Sequence, residues 1–188
     1  MGFSYIQVKD LERGLSFNST GPLDMRMGLN NFSASEVVNN LNQKELEIIF
    51  KIFGDEKDGK KIAKKIVLER KKNKIDTQKL VQIINICKRN NNKKIHNSTK
   101  IFQALRIFVN KEISELIKGL INSVNILEKN GILILVSFHS LEDKIIKTFF
   151  KLLSENNNIS RYLPENKKKK KYFKIKRKKT YSPIRKRN

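Results

Sequence analysis

Residues 131–138, Gly131-Ile-Leu-Ile-Leu-Val-Ser-Phe138, form an apolar run opened by glycine and stopped abruptly by His139-Ser140. A run that long, rich in Ile and Val, reads as a strand buried on both faces. Ser140 then precedes Leu141, Glu142 and Asp143 and an amphipathic stretch to Phe150. That is the S-x-x-D/E signature of a capped helix start. Open α/β sheets place their ligand sites where a parallel strand delivers polar groups into a helix N-terminus. One buried strand is not stable alone, because its edges expose unpaired backbone groups. Its neighbours must come from the N-terminal segment, from another chain, or from residues that this sequence does not hold. The expected fold class is therefore α/β, of which this chain supplies a part that is mostly helical with few strands.

Helical spacing dominates elsewhere. Ser33 to Gly54 reads as two helical segments, with Asn42 and Glu45 as an N-cap and its reciprocal partner. Lys61 to Lys72 places Ile62, Ala63, Ile66 and Val67 on one face and lysines on the other. Asp76 or Thr77 caps a helix to Cys87, and Ser98 or Thr99 caps the strongest pattern, from Phe102 to Leu127, long enough to be two helices in line. Lys129-Asn130-Gly131 ends it. Tyr172 to Ile175 alternates weakly and suits one last strand.

The chain has 188 residues and a formal charge of +23. The charge is uneven: residues 161–188 hold fourteen basic residues against the single Glu165, about +13 of the total. Such a tail suits a polyanion, nucleic acid first. Compositional drift in a chain rich in Lys, Asn and Ile is the competing explanation. The one cysteine, Cys87, excludes an internal disulfide and fits a reducing compartment. It lies on an apolar helix face, which suits a core residue better than a nucleophile. No apolar run approaches the ~20 residues that span a membrane, no signal sequence is visible, and the expected location is the cytoplasm. No spacing of His, Cys or carboxylates resembles a metal site.

Three stretches carry chemistry. The first is Leu11-Glu-Arg-Gly-Leu-Ser-Phe17 followed by Gly21-Pro-Leu-Asp-Met-Arg-Met27. The second is Ile101-Phe-Gln-Ala-Leu-Arg-Ile107 with Asn110 and Glu112, and the third is Val136-Ser-Phe-His-Ser-Leu-Glu-Asp-Lys144. In this order they closely resemble the bacterial 16S ribosomal RNA cytosine-N4 methyltransferases, the MraW or RsmH family, across roughly residues 2–184.

The resemblance implies a Rossmann-like methyltransferase with an inserted all-helical domain. Residues 1–32 would be its active-site loop segment, 33–97 the inserted RNA-recognition domain, 98–160 the return to the methyltransferase domain, and 161–188 a basic tail. It implies S-adenosylmethionine as methyl donor and a cytosine of small-subunit ribosomal RNA as acceptor. Family members hold the donor with a Gly-rich turn and acidic residues, whereas the eight glycines here never form a Gly-x-Gly pair. The N-terminal cofactor-binding half is thus expected to be absent, leaving Gln7 as the donor contact that carries over. A missing N-terminal half or a dimer partner would complete the sheet.

The exocyclic amine of cytosine is a poor nucleophile, and the base must leave its stack to be reached. Catalysis needs acceptors that orient the amine and a place to lose a proton. Ser4 as amine acceptor and Tyr5 as a stacking surface meet that need, against ordinary loop packing. Asp24 and Arg26 either pair to pin their loop or contact RNA, with Arg26 on phosphate or base. Arg106 either braces the active-site loop or touches RNA. His139 is an acid–base group, an RNA contact, or a structural cap. Two rival readings are a non-catalytic ribosomal RNA-binding module and a degenerating remnant of such an enzyme.

Overall fold

The structure is a computed structural model and describes residues 14–28, 32–88 and 96–154. Seven helices lie among these residues: α1 (Ala34–Asn40), α2 (Gln43–Gly54), α3 (Gly59–Glu69), α4 (Thr77–Cys87), α5 (Thr99–Val109), α6 (Glu112–Ile126) and α7 (Ser140–Ser154). They fall into two compact units that divide between Leu116 and Ile117.

In the first unit the helices begin where local chemistry tells them to. Ser33 and Asn42 each accept a hydrogen bond from the backbone N–H three residues on, and the Glu36 and Glu45 carboxylates in turn accept the N–H of the cap residue. Asp76 caps α4 through the Lys79 N–H at 2.7 Å. The Glu36 carboxyl is held below its ordinary range, first by the Ser33 backbone N–H and then by the Ser33 hydroxyl. The long apolar stripe breaks at Asn110 and Lys111, where Lys111 takes φ 51, so α5 and α6 are separate helices.

The core gathers Leu46, Ile49 and Phe50 of α2, Ile62 and Ile66 of α3, Leu80, Ile83 and Ile84 of α4, and Ile101, Phe102 and Leu105 of α5. Helix α2 is its centre, packed on both α3 and α5. Gly54 makes the second contact possible, since a Cβ there would stand 2.6 Å from the Lys100 carbonyl oxygen. Cys87 is buried in this core, and burial pushes its thiol pKa up, as suits a packing residue.

Long-range polar clips lock the helices together. Asn39 donates to the Ile75 carbonyl at 3.0 Å and accepts the Ile75 N–H at 2.9 Å. Arg70 donates to the carbonyls of Val38 and Leu41 at 2.9 and 2.6 Å, satisfying the C-terminal end of α1. The Lys88 ammonium lies against the buried Glu56 carboxylate and also donates to the Asn97 carbonyl at 2.7 Å.

The second unit differs in kind. Between residues 117 and 154 only Leu120 is a buried hydrophobic residue, and α7 buries none. Asn130 turns the chain at φ 69. Residues 131–138 then carry no ladder, and no strand is formed among the described residues. This departs from the expected strand for a physical reason: no neighbouring strand is present among those residues to accept its hydrogen bonds. The period of a strand persists. Ile132, Ile134, Val136 and Phe138 are 63%, 80%, 73% and 93% exposed, while Leu133, Leu135 and Ser137 between them are half-buried.

The helix that follows also corrects an expectation. Ser140 is the first residue of α7, not its cap. The capping atoms belong to His139, whose Nδ1 accepts the Leu141 N–H at 3.2 Å and whose carbonyl accepts the Asp143 N–H at 3.0 Å. The last strand expected over Tyr172 to Ile175 lies outside the described residues.

Candidate functional site

The segment Gly21-Pro-Leu-Asp-Met-Arg-Met27 has almost no regular structure, yet it is fastened along its length. The Gly21 carbonyl accepts the Thr77 hydroxyl at 2.9 Å. The carbonyls of Leu23 and Asp24 accept the N–H groups of Ser35 and Ala34 at 2.6 and 2.7 Å, so the loop serves the first turn of α1. Asn110 closes the other side, donating to the Met25 carbonyl and accepting the Met27 N–H, both at 2.8 Å. Leu23 and Met25 are buried beneath. Gly14 lies close by at φ 59, and a Cβ there would stand 2.2 Å from the Pro22 carbonyl oxygen.

Met25 itself takes φ 62, a left-handed conformation that costs an L-residue about 1–2 kcal/mol. The surrounding bonds over-determine it. The effect of that turn is to bury Met25 while Asp24 and Arg26 face outward. These two form a two-pronged pair, Arg26 Nε to Asp24 Oδ1 at 2.6 Å and Nη2 to Oδ2 at 2.9 Å. The Asp24 carboxylate, first by hydrogen bonding and then by charge, holds the Arg26 guanidinium above its ordinary pKa. Asp24 and Arg26 thus pair with each other, one of the two arrangements their sequence leaves open, and the pair orients the guanidinium plane at the surface.

Arg106 lies on the turn of helix that precedes Asn110. It grips Glu112 with Nε at 2.7 Å and Nη2 at 3.2 Å, with both side chains largely buried. The Arg106 carbonyl also accepts from Asn110 at 2.9 Å. Arg106 thus fixes the α5–α6 corner from which Asn110 reaches the loop, which is a bracing arrangement. Gln103 donates to the Phe53 carbonyl at 3.0 Å and holds α5 on α2. Asn110 is the residue that motif reading names without a role. Its partners are 83 and 85 positions away, and no local pattern announces such a contact.

His139 belongs to the second unit, and its Nδ1 is engaged as the α7 cap. Nε2 takes no part in that bond. Ser4, Tyr5 and Gln7 lie outside the described residues, as does the basic tail 161–188.

Gly14 faces the Pro22 carbonyl, Gly54 the Lys100 carbonyl and Gly59 the Phe50 side chain, whereas Gly28 and Gly119 have open space where a Cβ would stand. Neither open glycine belongs to a Gly-x-Gly turn of the kind that cradles a nucleotide-like ligand, and no chemistry of the methyl donor is placed on the described residues. Among the described residues no group of three or more His, Cys, Asp or Glu side chains is placed to hold a metal ion. No helix among them is long and apolar enough to cross a membrane.

Removing the Asn110 clip should be costly. Asn110→Ala leaves the Met25 carbonyl and the Met27 N–H without their partner, an expected loss of about 2–3 kcal/mol. Urea unfolding measures the loss. Hydrogen exchange at the Met27 amide should accelerate beyond what the global loss accounts for.

A fastened, strained loop that displays an Asp–Arg pair belongs to a protein whose sequence matches the MraW methylase family over residues 1–186. The chain is a member of that family. It is 46% identical over 167 residues to the ribosomal RNA small subunit methyltransferase H of Bartonella bacilliformis, covering 88% of this chain and 50% of the relative. It is 47% identical over 156 residues to the protein of that name from Rickettsia bellii, and 48% identical to that of Rickettsia africae. Those two alignments each cover 82% of this chain and 51% of the relative. The chain therefore spans about half the length of the curated relatives it matches.

Proposed function

We propose that this chain is the C-terminal part of an S-adenosylmethionine-dependent enzyme that methylates N4 of a cytosine in small-subunit ribosomal RNA. The observation that carries the reading is the Gly21–Met27 loop. Strain at Met25 persists because the bonds that fasten the loop over-determine it, and backbone strain of this kind gathers at working sites. Arg26, held flat by Asp24, suits a phosphate or a base edge. Arg106, through Glu112 and Asn110, sets the height of that loop. Ser4 and Tyr5 would take the amine and the face of the target base. His139 contributes through Nε2, and Gln7 is the donor contact this chain brings.

The architecture follows the family resemblance. Residues 33–97 are the inserted RNA-recognition domain, and 98–160 return to a Rossmann-like sheet. Two observations support a further half that completes that sheet. The chain matches about half of each relative, and Ile132 to Phe138 alternate like a strand while exposing one apolar face. Small-subunit ribosomal RNA is the partner, and the cytoplasm is the setting. One observation favours a second reading, an RNA-binding module without catalysis: the first unit closes a core from its own helices.

The test joins this chain in frame to the N-terminal half of the Rickettsia africae relative. Small ribosomal subunits are then incubated with S-adenosylmethionine labelled in its methyl group. The joined protein should label the RNA and the 188-residue chain alone should not. A joined protein that melts cooperatively and binds the donor, yet leaves the RNA unlabelled, favours the non-catalytic module.

A further inference from the structure

Helix α3 buries Gly59, Ile62, Ala63 and Ile66. At about 3.6 residues per turn, Lys60, Lys61, Lys64 and Lys65 fall on the opposite half. Lys71 and Lys72, in the turn that continues the helix, follow in phase. Two of the six are occupied. Lys61 donates to the Cys87 carbonyl at 2.7 Å, and Lys65 pairs with Glu69 at 2.9 Å. Lys60, Lys64, Lys71 and Lys72 are exposed and have no ion-pair partner among the described residues.

Lysine drift does not account for this. Drift would load every solvent face, but α4, of the same length, carries one lysine, Lys79, and α6 carries Lys118 alone; the three lysines of α7 stand beside Glu142 and Asp143, and Lys147 is paired with Asp143. On α2, Lys44 and Lys51 are balanced by Glu45 and Glu47. The placement also works against the helix. Lys60 and Lys61 sit in the first turn, where the macrodipole disfavours cations; the N-cap Asp58 makes no side-chain cap bond, and no acidic residue lies in the turn itself. Neighbouring α1 and α2 have both. The first turn of α5 also lacks an acidic residue and a side-chain cap, but its Lys100 is engaged on the Asp55 carbonyl at 2.7 Å, so what sets α3 apart is its row of lysines without ion-pair partners among the described residues.

We propose that this lysine face of α3 is a docking surface for the sugar–phosphate backbone of RNA. It deepens the functional reading above and rests on it for the identity of the polyanion. The contacts are to phosphate, so the surface adds affinity and orientation without reading sequence.

The test uses the full 188-residue chain and a fluorescein-labelled RNA hairpin of about 30 nucleotides, titrated from low to high salt. The paired substitution Lys60→Gln with Lys64→Gln is compared with Lys44→Gln with Lys51→Gln, which removes the same charge from α2. All four lysines are exposed, and thermal melts establish that both variants are folded. Each phosphate contact contributes about 0.7 to the log–log salt slope for single strands and about 0.9 for duplex. The α3 pair should therefore lower the slope by roughly 1.4–1.8 and weaken binding by roughly 25- to 60-fold at about 0.1 M salt. The α2 pair should change little. Equal losses in both variants would reduce the effect to net charge and overturn the proposal. A wild-type chain that binds phosphatidylglycerol vesicles through these lysines but not the hairpin would overturn it in favour of a membrane surface. Methyl transfer by the joined protein is read separately, so the enzyme reading survives or fails independently of this surface.

Discussion

Replacing Arg106 with Met is expected to destabilise the first unit by about 3–5 kcal/mol, the range for removing one partner of a buried ion pair. Met matches the length and apolar stem of Arg but supplies no donor. The Glu112 carboxylate, 9% exposed, is then left without the two guanidinium bonds it now receives. The pair also sets the turn at Asn110 and Lys111, where Lys111 is held at φ 51. Loosening that turn removes the footing of the Asn110 clip, so the Gly21–Met27 loop should loosen with it. Denaturant unfolding reads the stability. Replacing Glu112 as well, with Gln, should recover part of the loss, because the uncompensated charge is gone. If Arg106→Met costs less than about 1 kcal/mol, the pair is not a brace and the mechanical link from α5 to the loop is wrong.

Phe50→Ala should be of similar size, about 3–5 kcal/mol, through a different mechanism. Phe50 is fully buried at the centre of the helical core. Its side chain supports the start of α3, where a Cβ at Gly59 would come within 3.2 Å of the Phe50 Cβ. Its carbonyl accepts the Asp55 and Glu56 N–H groups that end α2. Truncation leaves a cavity between α2 and α3 that neighbouring backbone is not free to fill. Phe50→Leu retains most of the volume and should cost appreciably less. With total stabilities commonly near ~5–15 kcal/mol, the Ala variant falls close to the limit of folding, and its midpoint in urea should drop sharply with an unchanged slope. A changed slope would mean that the unfolded or native surface had shifted instead.

What sequence reading captures here is local chemistry. The Asn42–Glu45 box, a cap at Asp76 or Thr77, and the apolar faces of α2 to α5 are written within a few residues of where they act, whereas Ser98 stands at the start of α5 without the side-chain cap bond its type suggests. The contacts that position the candidate site are not. Asn39 on Ile75, Arg70 on the end of α1, and Asn110 on Met25 and Met27 join residues 29 to 85 positions apart. An asparagine at a helix end carries no mark of which distant backbone it will hold. His139 shows a narrower failure: Ser140 has the better capping propensity, but the histidine ring one residue earlier takes the N–H. The run Gly131 to Phe138 shows the opposite case. Its pattern is a strand's, and its side-chain exposure still alternates as a strand's does, but a strand is a property of a pair. Pattern reading sees the half of that pair that is written in the chain.

The central claim, that this chain belongs to an enzyme which places a methyl group on N4 of a cytosine, has a direct measurement. Small-subunit RNA treated with the joined protein and S-adenosylmethionine is digested to nucleosides and resolved by mass spectrometry against an untreated control. The account predicts a gain of N4-methylcytidine that requires the joined protein. New methyl on any other nucleoside, from a joined protein that is folded and active, would contradict it.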